Sequence, residues 1–220
     1  MIKKTINLAI YLLRYFSIID AKYLVTSKIN FGSKVSNNFF KKKLKKSKFY
    51  FEYGSGNSTI LANQLRKKFI SIESDKSFFN YLKFKKKLSN LIYVDLGPTK
   101  YYSHPIMPYF LIEKKIKFYC SYINSLFIKL KVIPDFILID GRFRVNTCLN
   151  ILNFLLEKKI KKKIMIIIDD YQNRKNYKIL EKIIKINKVG RFGIIKYFSY
   201  KNLNKRKIQN LILKVKKDVM

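Results

Sequence analysis

Tryptophan is absent from the 220 residues, histidine occurs once, cysteine twice and proline four times. Two thiols, Cys120 and Cys148, make no disulfide framework, and with the lone His104 they cannot complete a four-ligand zinc site. Acidic residues are also scarce: 13 Asp and Glu face 48 Lys and Arg, a formal charge of +35. Long apolar runs are missing too. The best candidate, Ile6 to Ile19, is interrupted by Arg14 and too short to span a bilayer. Lys3 and Lys4 precede it, as in a secretory signal, but Tyr15 and Phe16 follow and no small-residue cleavage site appears. The expected location is cytoplasmic, with an amphipathic surface anchor as the alternative.

What is abundant is lysine, isoleucine, asparagine, phenylalanine and tyrosine. Lysine accounts for 41 of the basic residues and arginine for only seven, while alanine occurs three times. The abundant residues have codons rich in A and T, so one reading is a compositional surplus of surface lysine. The other is a protein of nucleic acid or membrane surfaces. Arginine, which reads phosphate and guanine bidentately, is not enriched, and this favours the compositional reading. Apolar residues make up 48%, enough for a core despite the charge.

Along the chain, residues 1–46 read as a helical segment closed by a basic linker, Lys41–Lys46. Residues 47–220 read as one domain. Short apolar runs at Phe49–Phe51, Phe69–Ile72, Leu91–Val94, Phe136–Ile139 and Ile164–Ile168 alternate with helical patterns. The helices are expected over about 57–68, from Lys76, over 112–130, 145–156 and 177–184, with 99–111 as loop. Two late strands, near Phe192–Tyr200 and Ile208–Lys216, form a hairpin. The expected fold is α/β: a doubly wound, Rossmann-like, seven-stranded and mostly parallel sheet with a C-terminal antiparallel hairpin and helices on both faces.

Ligands in such sheets bind beyond the carboxyl ends of the strands. The first strand ends in Glu52-Tyr53-Gly54-Ser55-Gly56-Asn57-Ser58-Thr59. Glycines there permit a tight turn and close approach of a ligand. The helix behind supplies free N–H groups. The second strand ends at Glu73, an acid placed to accept both hydroxyls of a ribose. The third glycine of a dinucleotide fingerprint is replaced by Thr59, and Glu52 suits an ammonium better than a pyrophosphate. Both disfavour NAD.

With this set the sequence resembles the class I S-adenosylmethionine-dependent methyltransferases over about residues 47–216. Glu52-Tyr53-Gly54-Ser55-Gly56 resembles their first motif, and Glu73 their acid after the second strand. The resemblance implies that Glu52, Gly54, Gly56 and Ser58 hold the methionine end, Glu73 the ribose, and Asp95 the adenine side. Ile139-Asp140-Gly141-Arg142-Phe143-Arg144, with Asp169-Asp170-Tyr171 and Arg174, is similar to a small bacterial subgroup of mostly unassigned substrate. It is similar more loosely to catechol-type metal-dependent O-methyltransferases, whose acids fall on Asp140, Asp169 and Asp170.

Three converging carboxylates repel one another unless a cation lies between them. Mg²⁺ on Asp140, Asp169 and Asp170 is one solution; pairing with Arg142, Arg144 or Arg174 is the other and the favoured one. Those arginines and Tyr171 are candidate acceptor contacts, through a carboxylate or phosphate. Asp140, Asp170 and His104 are the candidate catalytic groups. The expected activity is methyl transfer to an oxygen or nitrogen of a small-molecule or saccharide-like acceptor. The alternatives are an RNA methyltransferase using the basic surface and a non-catalytic nucleoside-binding fold.

Overall fold

The computed structural model describes residues 2–16 and 28–215. Its centre is β1 (Phe49–Tyr53), an aromatic run buried at every position. It lies between β2 (Lys68–Glu73) and β6 (Phe136–Ile139), parallel to both. β3 (Leu91–Tyr93) extends the sheet beyond β2, and β7 (Ile164–Ile168) extends it beyond β6. β9 (Phe192–Tyr197) runs antiparallel to β7 and to the edge strand β8 (Asn187–Val189). The order is β3-β2-β1-β6-β7-β9-β8. The chain moves outward from β1 to β3 and then returns to the other side of β1, so the order reverses between β1 and β6. A crevice opens at that point, above the carboxyl ends.

The sheet is covered on both faces. α2 (Lys34–Lys46) and α3 (Asn57–Gln64) cover one, where Phe40, Leu44 and Ala62 meet Tyr50, Leu138 and Ile167. α5 (Tyr109–Cys120), α6 (Tyr122–Leu130), α7 (Arg144–Glu157) and α8 (Lys205–Val215) form the other layer, over Phe51, Tyr53, Ile137 and Ile166. α1 (Ile2–Tyr15) is tied to the short helix α4 (Lys76–Asn80) by the buried pair Arg14–Asp75 at 2.5 Å. Asp75 also accepts from the Phe78 amide and the Thr99 hydroxyl. Among the described residues no helix is long and apolar enough to cross a membrane.

Several expectations are corrected here. Lys41–Lys46 is no linker but the end of α2, with Leu44 buried among the lysines. The terminal hairpin is β8–β9, not strands at 192–200 and 208–216. Residues 205–215 are helical because Ile208, Leu211, Ile212 and Val215 share one face and pack on the core; Lys216 lies outside the described residues. The 112–130 helix is two helices, broken at Ser121, where the buried Tyr53 hydroxyl donates to Cys120 O and accepts from Ile123 N. Residues 175–182 wind as 3₁₀ rather than α-helix. The 99–111 loop contains a small hairpin, β4 (Thr99–Lys100) with β5 (His104–Pro105).

Candidate functional site

The β1–α3 turn begins at Gly54, whose φ of +88° belongs to the left-handed region. A Cβ there would lie 2.5 Å from Gly141 N and 2.8 Å from the Asp140 carbonyl carbon. The ends of β1 and β6 therefore meet backbone to backbone. Gly56 differs: nothing lies within 4 Å of a Cβ built on it. The two glycines border a cavity of about 400 Å³, in the range of small-ligand sites. Glu73, Ser103, His104, Asp140, Arg142, Arg144, Asp169, Asp170, Arg174 and Arg191 also border it.

Glu73 is almost fully buried. One oxygen accepts from the amides of Ser74 (2.7 Å) and Asp75 (2.8 Å) and from the Ser103 hydroxyl (2.9 Å). The other accepts from the Ser55 amide at 3.1 Å and so joins β2 to the glycine turn. Burial outweighs these bonds and pushes its pKa to about 7.

Glu52 does not border the cavity. It lies beneath the turn, fully buried, accepting from Ser58, from Thr59 (2.5 Å) and from Ser71 (2.8 Å). Ser58, expected at the methionine end, is thus spent on Glu52. Together they brace the turn from below. Asp95, at the end of β3, pairs with Lys115 and accepts from the Gly97 amide; it is not on the cavity wall either. Tyr171 is buried against Gly193, with its hydroxyl donating to Glu181 at 2.8 Å. It is a core residue rather than an acceptor contact.

The expected acidic cluster is assembled and filled by arginine. Arg144 reaches Asp140 at 2.8 Å, Asp169 at 3.3 Å and Asp170 at 3.6 Å. Arg191 reaches both Asp169 and Asp170 at 2.5 Å, and Arg174 reaches Asp170 at 3.6 Å. Asp169 keeps one oxygen, Oδ1, without a partner. The guanidinium groups occupy the space between the carboxylates and already supply the positive charge that a cation would bring. Among the described residues no three His, Cys, Asp or Glu side chains are placed to hold a metal ion. The donor set does not fit a divalent cation.

Asp140 retains partial exposure to the cavity. Burial and the neighbouring Asp169 raise its pKa well above the usual carboxylate range, against the pull of Arg144. His104 lies 2.8 Å from Arg142 through its Nε2. Burial, Arg142, Lys100 and Arg174 lower its pKa to about 4, so it is neutral at pH 7. Arginine only donates, so Nε2 is the acceptor and the ring proton sits on Nδ1. Its one basic lone pair, on Nε2, is therefore engaged.

Two contributors escape the sequence reading. Ser103 arrives on the β4–β5 hairpin, inside a stretch read as loop from which His104 is the candidate group. Arg191 arrives on the β8–β9 turn, in a hairpin placed elsewhere. The rarity of arginine was a usable signal for Arg191, since four of the seven arginines border one cavity.

No family model matches the sequence, and no curated protein matches it. Among solved structures, a methyltransferase-like protein from Silicibacter pomeroyi is similar, with a TM-score of 0.63 and 24% identity. The match covers 73% of this chain and 84% of that one. That likeness supports the α/β sheet architecture described above.

Proposed function

We propose that this protein transfers a methyl group from S-adenosylmethionine to an oxygen or nitrogen of a small-molecule or saccharide-like acceptor. The observation that carries the reading is the Gly54–Gly56 turn. It is locked against Asp140-Gly141 on one side, joined to Glu73 on the other, and open above Gly56. A nucleoside attached to an amino acid fits such a cradle: a carboxylate for the ribose, a bare turn and the α3 N-terminus for the amino-acid end.

S-adenosylmethionine supplies a methyl group on a positively charged sulfur, which leaves with the bonding pair as a neutral thioether. The chain's part is positioning and proton handling. Glu73 and the glycine turn fix the donor. Asp140, held by Arg144 at the mouth of β6, takes the proton that the acceptor's O–H or N–H gives up as the new bond to carbon forms. Asp170, bound by three guanidinium groups, orients the arginines.

Calorimetry tests the reading. S-adenosylmethionine and S-adenosylhomocysteine are expected to bind equally well with Mg²⁺ and with a chelator, and NAD to bind far more weakly. Asp140→Asn should leave S-adenosylhomocysteine affinity unchanged while lowering turnover, because Asp140 acts on the acceptor side. Absence of binding by either adenosyl compound overturns the proposal, and so does comparable affinity for NAD.

A further inference from the structure

The four arginines of the cavity are not equivalent. Arg144, Arg174 and Arg191 are each committed to carboxylates. Arg142 is only 7% exposed and forms no ion pair among the described residues. Its Nη1 donates to neutral His104 at 2.8 Å and to the Tyr102 carbonyl at 3.3 Å, and its Nε has no partner. Removing a guanidinium from water without a counter-charge is costly, and proteins seldom bear that cost without a ligand. The other charges of the wall do not relieve it. Asp140, Asp169 and Asp170 are matched by three arginines, and Glu73 is bonded to Ser55, Ser74, Asp75 and Ser103.

We infer that the acceptor carries a carboxylate or phosphate group and that Arg142 is its binding residue. This rests on the methyl-transfer reading for the word acceptor, but the anion site itself does not. A guanidinium offers parallel N–H groups that match either oxyanion bidentately. His104 is then a positioning residue. It accepts from Nη1 without neutralising the cation, so Arg142 stays aimed into the cavity and keeps its charge for the ligand. Sequence alone treats Arg142, Arg144 and Arg174 alike; the structure singles out Arg142 by what it lacks.

His104 is the chain's one histidine, so its ring protons give an unambiguous magnetic-resonance signal beside Arg142. The experiment titrates sodium acetate, and separately inorganic phosphate, into the full chain at pH 7, with ionic strength held by chloride. At that pH His104 is neutral throughout, so its signal reads contact at Arg142 rather than protonation. A saturable His104 shift is expected for at least one anion, and the tighter of the two identifies carboxylate or phosphate. In Arg142→Gln the anion should bind at least about tenfold more weakly, the scale of losing one charge-assisted hydrogen bond. Arg142→Lys should fall between. Affinity for S-adenosylhomocysteine should be the same in all three proteins.

A wild-type His104 signal that moves with neither anion, or only linearly, overturns the inference, and this arm needs no variant to fold. Equal anion affinity in wild type and Arg142→Gln overturns it also. A tenfold loss of S-adenosylhomocysteine affinity in Arg142→Gln would move the anion from the acceptor to the cofactor's own carboxylate. If S-adenosylhomocysteine fails to bind wild type while the anion still moves His104, the methyl-transfer reading falls and the anion site stands.

Discussion

Glu73 titrates near 7 in the folded chain and near 4.5 when exposed, so the fold holds its proton more tightly than the unfolded chain does. Between those values the native state binds more protons, and stability falls as pH rises through the window. Below about 4.5 both states are protonated and the effect vanishes; above about 7 the full cost of the buried charge, about 3 kcal/mol, is present. Glu73→Gln is therefore expected to gain stability relative to wild type as pH rises from 4.5 to 7. Denaturant unfolding at several pH values measures this, and parallel profiles would show that Glu73 does not titrate there. The same carboxylate is the proposed ribose acceptor, so Glu73→Ala should weaken S-adenosylhomocysteine binding by about 1–3 kcal/mol. Arg144 makes the complementary case. It is buried against three aspartates and also donates to the carbonyls of Asp140, Gly141 and Asp169. Arg144→Ala leaves Asp140 and Asp169 undercompensated, and chemical denaturation should show a loss of about 3–5 kcal/mol. A loss within about 0.5 kcal/mol, typical of surface changes, would mean that Arg191 and Arg174 suffice.

At the scale of elements, the strand ends were readable and the partners they meet were not. Ile164–Ile168 announces a buried strand by four isoleucines around one methionine, and Asp169-Asp170 by interruption marks its end. β8 carries no such signal: Asn187-Lys188-Val189 is a mostly exposed edge with one apolar residue. Its register comes from β9, a tertiary fact. In α2, Phe40 and Leu44 are buried in a stretch whose lysines dominate the eye. The acids of the site could be located along the chain, whereas Arg191 could be assigned to them only once β9 had been placed beside β7. The glycine turn shows the same limit. Gly54 and Gly56 look interchangeable in sequence, yet only Gly54 faces backbone and has positive φ. Gly54→Ala must push β1 and β6 apart and is expected to cost about 2 kcal/mol or more. Gly56→Ala should cost under about 1 kcal/mol in stability, since its methyl enters open space. That open space is the cavity, so Gly56→Ala should instead weaken S-adenosylhomocysteine. Thermal denaturation and calorimetry on the two variants separate the roles; equal destabilisation would remove the asymmetry.

For the whole molecule the governing quantity is a formal charge of +35 in a chain of 220 residues. Exposed lysines occur on both layers: Lys41, Lys42 and Lys45 on α2, Lys114 and Lys117 on α5, Lys205 and Lys207 on α8. Among the described residues basic charge is thus present on both layers, which favours a compositional surplus. Its physical consequence is self-repulsion, which the unfolded chain relieves by expanding. Salt shortens the reach of that repulsion from about 10 Å at 0.1 M to about 3 Å at 1 M. The ion pairs around Asp169 are buried and are screened much less. Net stabilisation by salt is therefore expected: the thermal midpoint should rise by several degrees from low to near-molar sodium chloride, since about 1 kcal/mol moves a domain of this size by roughly 2–4 °C. Nucleic acid should bind weakly, without sequence preference, and release over the same salt range as counterions replace it. A midpoint that is flat or falls with salt would show that exposed pairs such as Lys115–Asp95 outweigh the repulsion. Tight binding to a structured RNA that persists at physiological salt would make the lysine surface functional and turn the acceptor question toward RNA.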